Sequence, residues 1–227
     1  MRRHSSDVPN GVDDVSRSPA AREHMLTQLQ RSDPILARLI RERPGFDPRS
    51  WLEELPPMDL FGALVFQVIG QQLSVQATRR ILDRILALGD GQMVSPSDLL
   101  AIEAEDLRAT GLSNRKVRTV RDLAQRFSDG SLDEDRLRRL PDDEIEAELT
   151  QIPGIGPWTV HGALIIAFDR SDVVLPGDLA LRKIIEKVYD LGHLPSQDEV
   201  LRIADAWRPY RSLATAYLFQ SAFAPPG

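Results

Sequence analysis

The sequence predicts an all-α protein, and three observations carry that prediction. From residue 21 onward, apolar residues recur at helical spacing nearly throughout. No stretch alternates over the length of a strand apart from the short Val173-Val174-Leu175. Helix punctuation frames the periodic segments: Ser95-Pro96-Ser97-Asp98 reads as a capped start, and Gly111 and Gly130 read as stops.

Taken in order, residues 1–20 are polar, carry Pro9, Gly11 and Pro19, and lack apolar periodicity; a disordered tail or tag remnant is expected. Met25, Leu29, Ile35, Leu36, Leu39 and Ile40 lie on a helix face interrupted near Asp33-Pro34. A strongly apolar helix over 60–69 breaks near Gly70, and an amphipathic one runs over 73–88. Helices over 96–102 and 104–109 lead to a basic amphipathic helix over 115–127. Asp142 is placed to cap a helix over 143–150. The segment 160–168 is apolar on nearly all sides and so predicts a buried helix. Helices over 178–189, 197–207 and 213–222 complete the set.

Composition narrows the class. The chain has 227 residues, 42% hydrophobic and 27% charged, as expected for a globular protein with a substantial core. Cysteine is absent, which excludes disulfides, thiolate metal sites and a cysteine-ligated iron–sulfur cluster. No apolar run reaches the length of a membrane span and no signal-like segment opens the chain, so a cytoplasmic protein without membrane contact is expected. The net charge of −6 counts against a broad nucleic-acid footprint, although a local patch sets the local field. Lysine occurs only at Lys116, Lys183 and Lys187.

The most informative run is Leu-Thr-Gln-Ile-Pro-Gly-Ile-Gly-Pro-Trp-Thr-Val at 149–160. It reads as helix, tight glycine turn, helix, with Gly154 and Gly156 free to take positive φ and to approach another backbone. The second helix would present its N-terminal N–H groups and the positive end of its dipole outward, an anion site that suits a nucleic-acid phosphate. The bland alternative is an ordinary helix–turn–helix corner. Downstream, Asp178 follows Pro176-Gly177. On the residues alone it reads first as an N-cap, with Arg182 one turn on as a surface partner, and second as a carboxylate beside a developing sugar oxocarbenium ion. Arg115, Lys116, Arg118 and Arg121 form the densest basic stretch; the first two, at a helix start, suit phosphate, and the last two suit a solvated face.

The hairpin followed about twenty residues later by Leu175-Pro176-Gly177-Asp178-Leu179 resembles the helix-hairpin-helix/Gly-Pro-Asp DNA glycosylases. The likeness is greatest to the 3-methyladenine DNA glycosylase II, or alkylbase glycosylase, branch. Val68-Ile69-Gly70-Gln71-Gln72-Leu73-Ser74, Gly111-Leu112-Ser113-Asn114-Arg115-Lys116 and Trp207-Arg208-Pro209-Tyr210-Arg211-Ser212 are similar to further motifs of that branch, and the resemblance covers roughly 59–223.

The resemblance implies two helical subdomains, one from 21–59 plus 173–227 and one from 60–172 carrying the hairpin at about 145–168, with a cleft between them. It implies Asp178 as the catalytic carboxylate and a base pocket lined by Trp158 and Phe219. Gly162, where some relatives carry an aromatic, is expected to widen that pocket. His161 beside it reads either as a buried, satisfied histidine or as a lesion-reading donor. Backbone contacts are expected from Gly154, Ile155, Gly156, Thr159, Arg115 and Lys116. The wedge that fills the gap left by a flipped nucleotide is Gln72 or Leu73. No lysine stands on the second hairpin helix, so hydrolysis rather than Schiff-base lyase chemistry is implied. The resemblance thus implies a monofunctional enzyme of base excision repair, acting without cofactor as a monomer on double-stranded DNA that contains damaged bases. Alkylated purines of the 3-methyladenine and 7-methylguanine type are the implied substrates. No metal is required, and a monovalent cation at the hairpin stays open. Two alternatives also stay open: a non-catalytic helix-hairpin-helix DNA-binding protein, and a glycosylase for deaminated or oxidised bases.

Overall fold

Thirteen α-helices and one 3-10 turn make up the regular structure of the described residues, 18–48, 50, 55–89, 91 and 95–223, in a computed structural model. No strand occurs among them, and 173–175 is irregular chain. The expected tail lies outside the described residues up to residue 17. Helix α1 (Pro19–Ser32) starts ahead of its expected boundary at residue 21, within the expected tail, because Ser18 caps it and Pro19 sits in its first turn. Asp33 repeats that arrangement for α2 (Pro34–Glu42).

Helix α3 (Leu60–Gly70) is buried over nearly its whole length, and α4 (Val75–Leu86) starts at the Ser74 cap. The capping box of Ser95 and Asp98 opens α5 (Pro96–Ala101) as expected. Next come α6 (Ala104–Ala109) and α7 (Asn114–Ser128). Helix α8 (Glu134–Arg138) was not legible from periodicity; Asp133 nucleates it by accepting the Arg136 N–H at 2.6 Å. Asp142 is the first residue of α9 (Asp142–Leu149) rather than its cap, because Pro141 takes the cap position. The rest are α10 (Pro157–Phe168), α11 (Leu179–Val188), α12 (Gln197–Ala204) with its 3-10 continuation Asp205–Trp207, and α13 (Arg211–Phe223).

Apolar side chains segregate into two clusters. One is built around α3, which packs on α10, α7 and α4, and its residues run from Leu60 to Val173. The other draws on Leu29 to Ile40 of the first two helices and on residues from Val174 to Leu218, in the last three helices and the chain that leads into and joins them. Adjacent residues Val173 and Val174 thus face different clusters.

Two polar nodes tie segments distant in sequence together. Asp33 is only 5% exposed, yet it accepts four hydrogen bonds. Its Oδ1 takes the Ile35 and Leu36 N–H groups, and its Oδ2 takes the Tyr189 hydroxyl at 2.5 Å and the Trp207 indole N–H at 2.8 Å. Burial, and then the bond to Asp33, raise the Tyr189 phenol above its ordinary range, which keeps it a donor. Asp33→Ala leaves these donors buried without an acceptor and is expected to cost roughly 3 kcal/mol in urea unfolding. At the second node Arg208 and Arg211 converge on Asp172 at 2.6 and 2.7 Å, and Ser212 Oγ donates to the Arg170 carbonyl at 2.7 Å. The 207–212 motif therefore clamps the 170–173 segment that leads into Asp178.

Candidate active site

The hairpin is α9, the turn 150–156 and α10. Ile152 and Ile155 anchor the turn in the core, and the Ile155 N–H closes on the Ile152 carbonyl at 3.0 Å. Gly154 takes φ +95°, and a Cβ there would overlap Thr119 Oγ1 on α7. The Thr119 hydroxyl lies 3.0 Å from the Pro153 carbonyl, so α7 and the turn are in direct contact. Gly156 does not take the expected positive φ. It is extended at φ −119°, caps α10 without a side-chain bond, and has no atom within 4 Å of where a Cβ would stand. The two glycines therefore do different work: Gly154 admits Thr119, and Gly156 leaves the helix N-terminus open outward.

Two expected backbone binders are turned inward. The Thr159 hydroxyl is buried and accepts Gln71 Nε2 at 3.0 Å, and the Ile155 amide is used within the turn. Lys116 is also reassigned. Its ammonium donates to the carbonyls of Ile69 and Gln71 at 2.8 Å each, and burial lowers its pKa. It caps α3 rather than projecting toward a phosphate. Arg121, expected on a solvated face, reaches the Ile102 carbonyl at 2.6 Å. Arg115 and Arg118 stay exposed.

Between α3 and α4 the chain makes a type II turn. Gln71 has φ −52° and ψ 121°, Gln72 has φ +61°, and the Leu73 N–H reaches the Gly70 carbonyl at 3.0 Å. Gln72 therefore occupies the position where glycine is usual, a strained conformation for a side-chain-bearing residue. Gln71 Nε2, donating to the Gly154 carbonyl at 3.0 Å, and Lys116 hold that turn in place. Gln72 and Leu73 are both exposed at its tip, Leu73 by 42%.

Asp178 caps α11 through Oδ1, which accepts the Leu181 N–H at 2.9 Å. Its Oδ2 accepts the indole N–H of Trp158 at 2.7 Å. The cap reading is thus right about one oxygen, and the second oxygen is held from α10. Arg182 is not its partner; its Nε donates to the Pro195 carbonyl at 2.7 Å. Leu179, beside the carboxylate, is 52% exposed. Trp158 and Phe219 are both half-buried and pack against the same apolar cluster.

His161 and Gly162 differ from expectation. The His161 ring ties α10 to α9 through Nε2, 2.5 Å from Glu146 Oε2, while its buried Nδ1 has no partner. It braces the hairpin and is not the fully satisfied histidine anticipated. Gly162 does not widen a pocket, because the side chain of Gln67 fills the space: a Cβ on Gly162 would stand 2.5 Å from Gln67 Nε2 and 2.7 Å from its Oε1. Gln67 belongs to no sequence motif, although it is the lone polar side chain inside the apolar α3 run. Among the described residues, no group of three or more histidines and carboxylates could hold a metal ion, and no helix is long and apolar enough to cross a membrane.

The model of the HhH-GPD superfamily base excision DNA repair protein matches residues 65–209, a span that holds the turn, the hairpin and Asp178. The chain belongs to the HhH-GPD superfamily. It is 28% identical over 210 residues to DNA-3-methyladenine glycosylase 1 of Schizosaccharomyces pombe, covering 88% of this chain and 91% of that protein. It is 26% identical over 225 residues to DNA-3-methyladenine glycosylase 2 of Escherichia coli, covering 92% and 73%. The structure of the S. pombe 3-methyladenine DNA glycosylase in complex with abasic DNA superposes with a TM-score of 0.80 at 27% identity, covering 88% of this chain and 97% of that one. For an HhH-GPD protein, the clamp at 207–212 and the Trp158–Asp178 bond are the parts that place the carboxylate.

Proposed function

We propose that this HhH-GPD protein is a monofunctional DNA glycosylase that flips alkylated purines out of double-stranded DNA and hydrolyses their glycosidic bonds. The observation that carries the reading is the Asp178 carboxylate held at a helix N-terminus by two converging N–H groups, from Leu181 and from the Trp158 indole. A carboxylate so fixed needs no reorganisation when positive charge develops on the sugar. The S. pombe relative solved on abasic DNA supports DNA as the partner.

In the proposed reaction the C1′–N bond breaks with its electron pair passing to the base. An N3- or N7-methylated purine is cationic and leaves as a neutral base, so no general acid is needed. Asp178 stabilises the sugar cation, water adds at C1′ and loses a proton, and an abasic site remains. The second hairpin helix carries no lysine, and Lys183 and Lys187 stand on α11 beyond Asp178, which favours water over an amine as the nucleophile. Trp158 and Phe219 would face the base in a cleft between the two apolar clusters, where an aromatic face attracts a cationic purine. We assign the two clusters as the two subdomains, with Gly156 and Arg115 gripping phosphates and Gln72 at the strained tip as the wedge. The reading is of a monomer acting in the cytoplasm.

The test is incubation with methylated DNA, followed by chromatography of released bases and alkaline cleavage of abasic sites. Release of methylated purines without a borohydride-trapped adduct is expected; no release would leave a non-catalytic DNA-binding protein. Trp158→Phe keeps an aromatic face but removes the donor to Asp178. It is expected to slow single-turnover release by about thirtyfold, the value of one charge-assisted hydrogen bond, while abasic-DNA binding holds.

A further inference from the structure

We propose that Gln67 reads the flipped base, and that its carboxamide favours adenine lesions with a free N6/N7 edge, such as 3-methyladenine, over purines methylated at N7. The inference rests on the glycosylase reading above and deepens it. Gln67 is 8% exposed, yet among the described residues its carboxamide makes no hydrogen bond. Its amide atoms keep some accessible surface and are not sealed into the interior. An amide so placed is costly unless something completes it, and both its donor and its acceptor are available to do so.

Its position says what would complete it. The amide lies against Gly162, whose missing side chain makes the room. Gly162 follows Trp158 by four residues on α10, so the two share one face, separated by a rise of about 6 Å. Trp158 in turn holds Asp178. A base stacked on Trp158 with its sugar at Asp178 would bring its far edge to the Gln67 amide.

The chemistry then selects. A carboxamide matches adenine through two hydrogen bonds, its oxygen accepting from N6 and its nitrogen donating to N7. Methylation at N3 leaves that edge intact, whereas methylation at N7 removes the acceptor and puts a methyl group where the amide nitrogen would donate. A leucine of similar size offers neither bond.

The experiment compares release of 3-methyladenine and 7-methylguanine from the same methylated duplex under single-turnover conditions, for the wild type, Gln67→Leu and Gly162→Ala. Gln67→Leu is expected to lower the 3-methyladenine to 7-methylguanine release ratio about tenfold, within the range for one bidentate base contact. Gly162→Ala keeps the amide but displaces it, and should move the ratio the same way. Thermal melting of each variant checks the fold, and the ratio is read on folded protein, where a merely structural glutamine would slow both lesions alike. A Gln67→Leu ratio within twofold of wild type overturns the inference and leaves the glycosylase reading standing. Failure of the wild type to release either base overturns both.

Discussion

Asp178→Asn is expected to lower excision by about a thousandfold while DNA binding changes little. The substitution conserves shape and removes charge. It also breaks a convergence of donors, because the Leu181 N–H and the Trp158 indole N–H each point at a different oxygen. An asparagine has one acceptor oxygen and one donor NH₂, so one of these donors must lose its partner. The cation-stabilising charge and the positioning bond are lost together, whereas the phosphate contacts proposed for Gly156 and Arg115 are untouched. Single-turnover base release and anisotropy titration of abasic duplex would separate the two effects. Full activity in Asp178→Asn would sink the catalytic assignment and return Asp178 to a helix cap.

The second large effect is a contrast between neighbouring glycines. Gly154→Ala forces a Cβ into φ +95° and onto Thr119 Oγ1, and is expected to cost roughly 3 kcal/mol of stability. Gly156→Ala meets neither obstacle, since φ is −119° and no atom lies within 4 Å of the new Cβ. Its stability should stay within about 0.5 kcal/mol of wild type. DNA affinity should nevertheless fall at least about tenfold, because the methyl group would occupy the space through which a phosphate approaches the α10 N-terminus. Urea unfolding and DNA titration on both variants check this. Equal stability losses, or unaltered DNA affinity in Gly156→Ala, would refute the division of labour.

The pattern of what was legible follows from the range of the interactions. Ser95 with Asp98 is a contact within one turn of chain, and caps of this kind are written locally. Helix α8 was missed because five residues give no periodicity to read. Asp33 registered only as an interruption, since its partners Tyr189 and Trp207 come from the far end of the chain. Thr159, Ile155 and Lys116 were expected on DNA because of their place in the motifs; the fold spends them on Gln71, Ile152 and the end of α3. Gln67 shows the converse, a residue with no motif that matters through what faces it.

The sequence by itself determined the helical class, the glycine hairpin, the lone carboxylate after Pro176-Gly177 and the absence of a lysine on the hairpin, because each is a statement about residue types at short spacing. Only the tertiary structure decided which oxygen of Asp178 meets Trp158, which glycine is closed by Thr119 and which is open, and that Gln67 fills the space beside Gly162. Those outcomes depend on helices α3, α7, α10 and α11 approaching one another across long stretches of chain. Side-chain hydrogen bonds and close backbone contacts act over a few ångströms, so partners far apart in sequence are named only once packing brings them together.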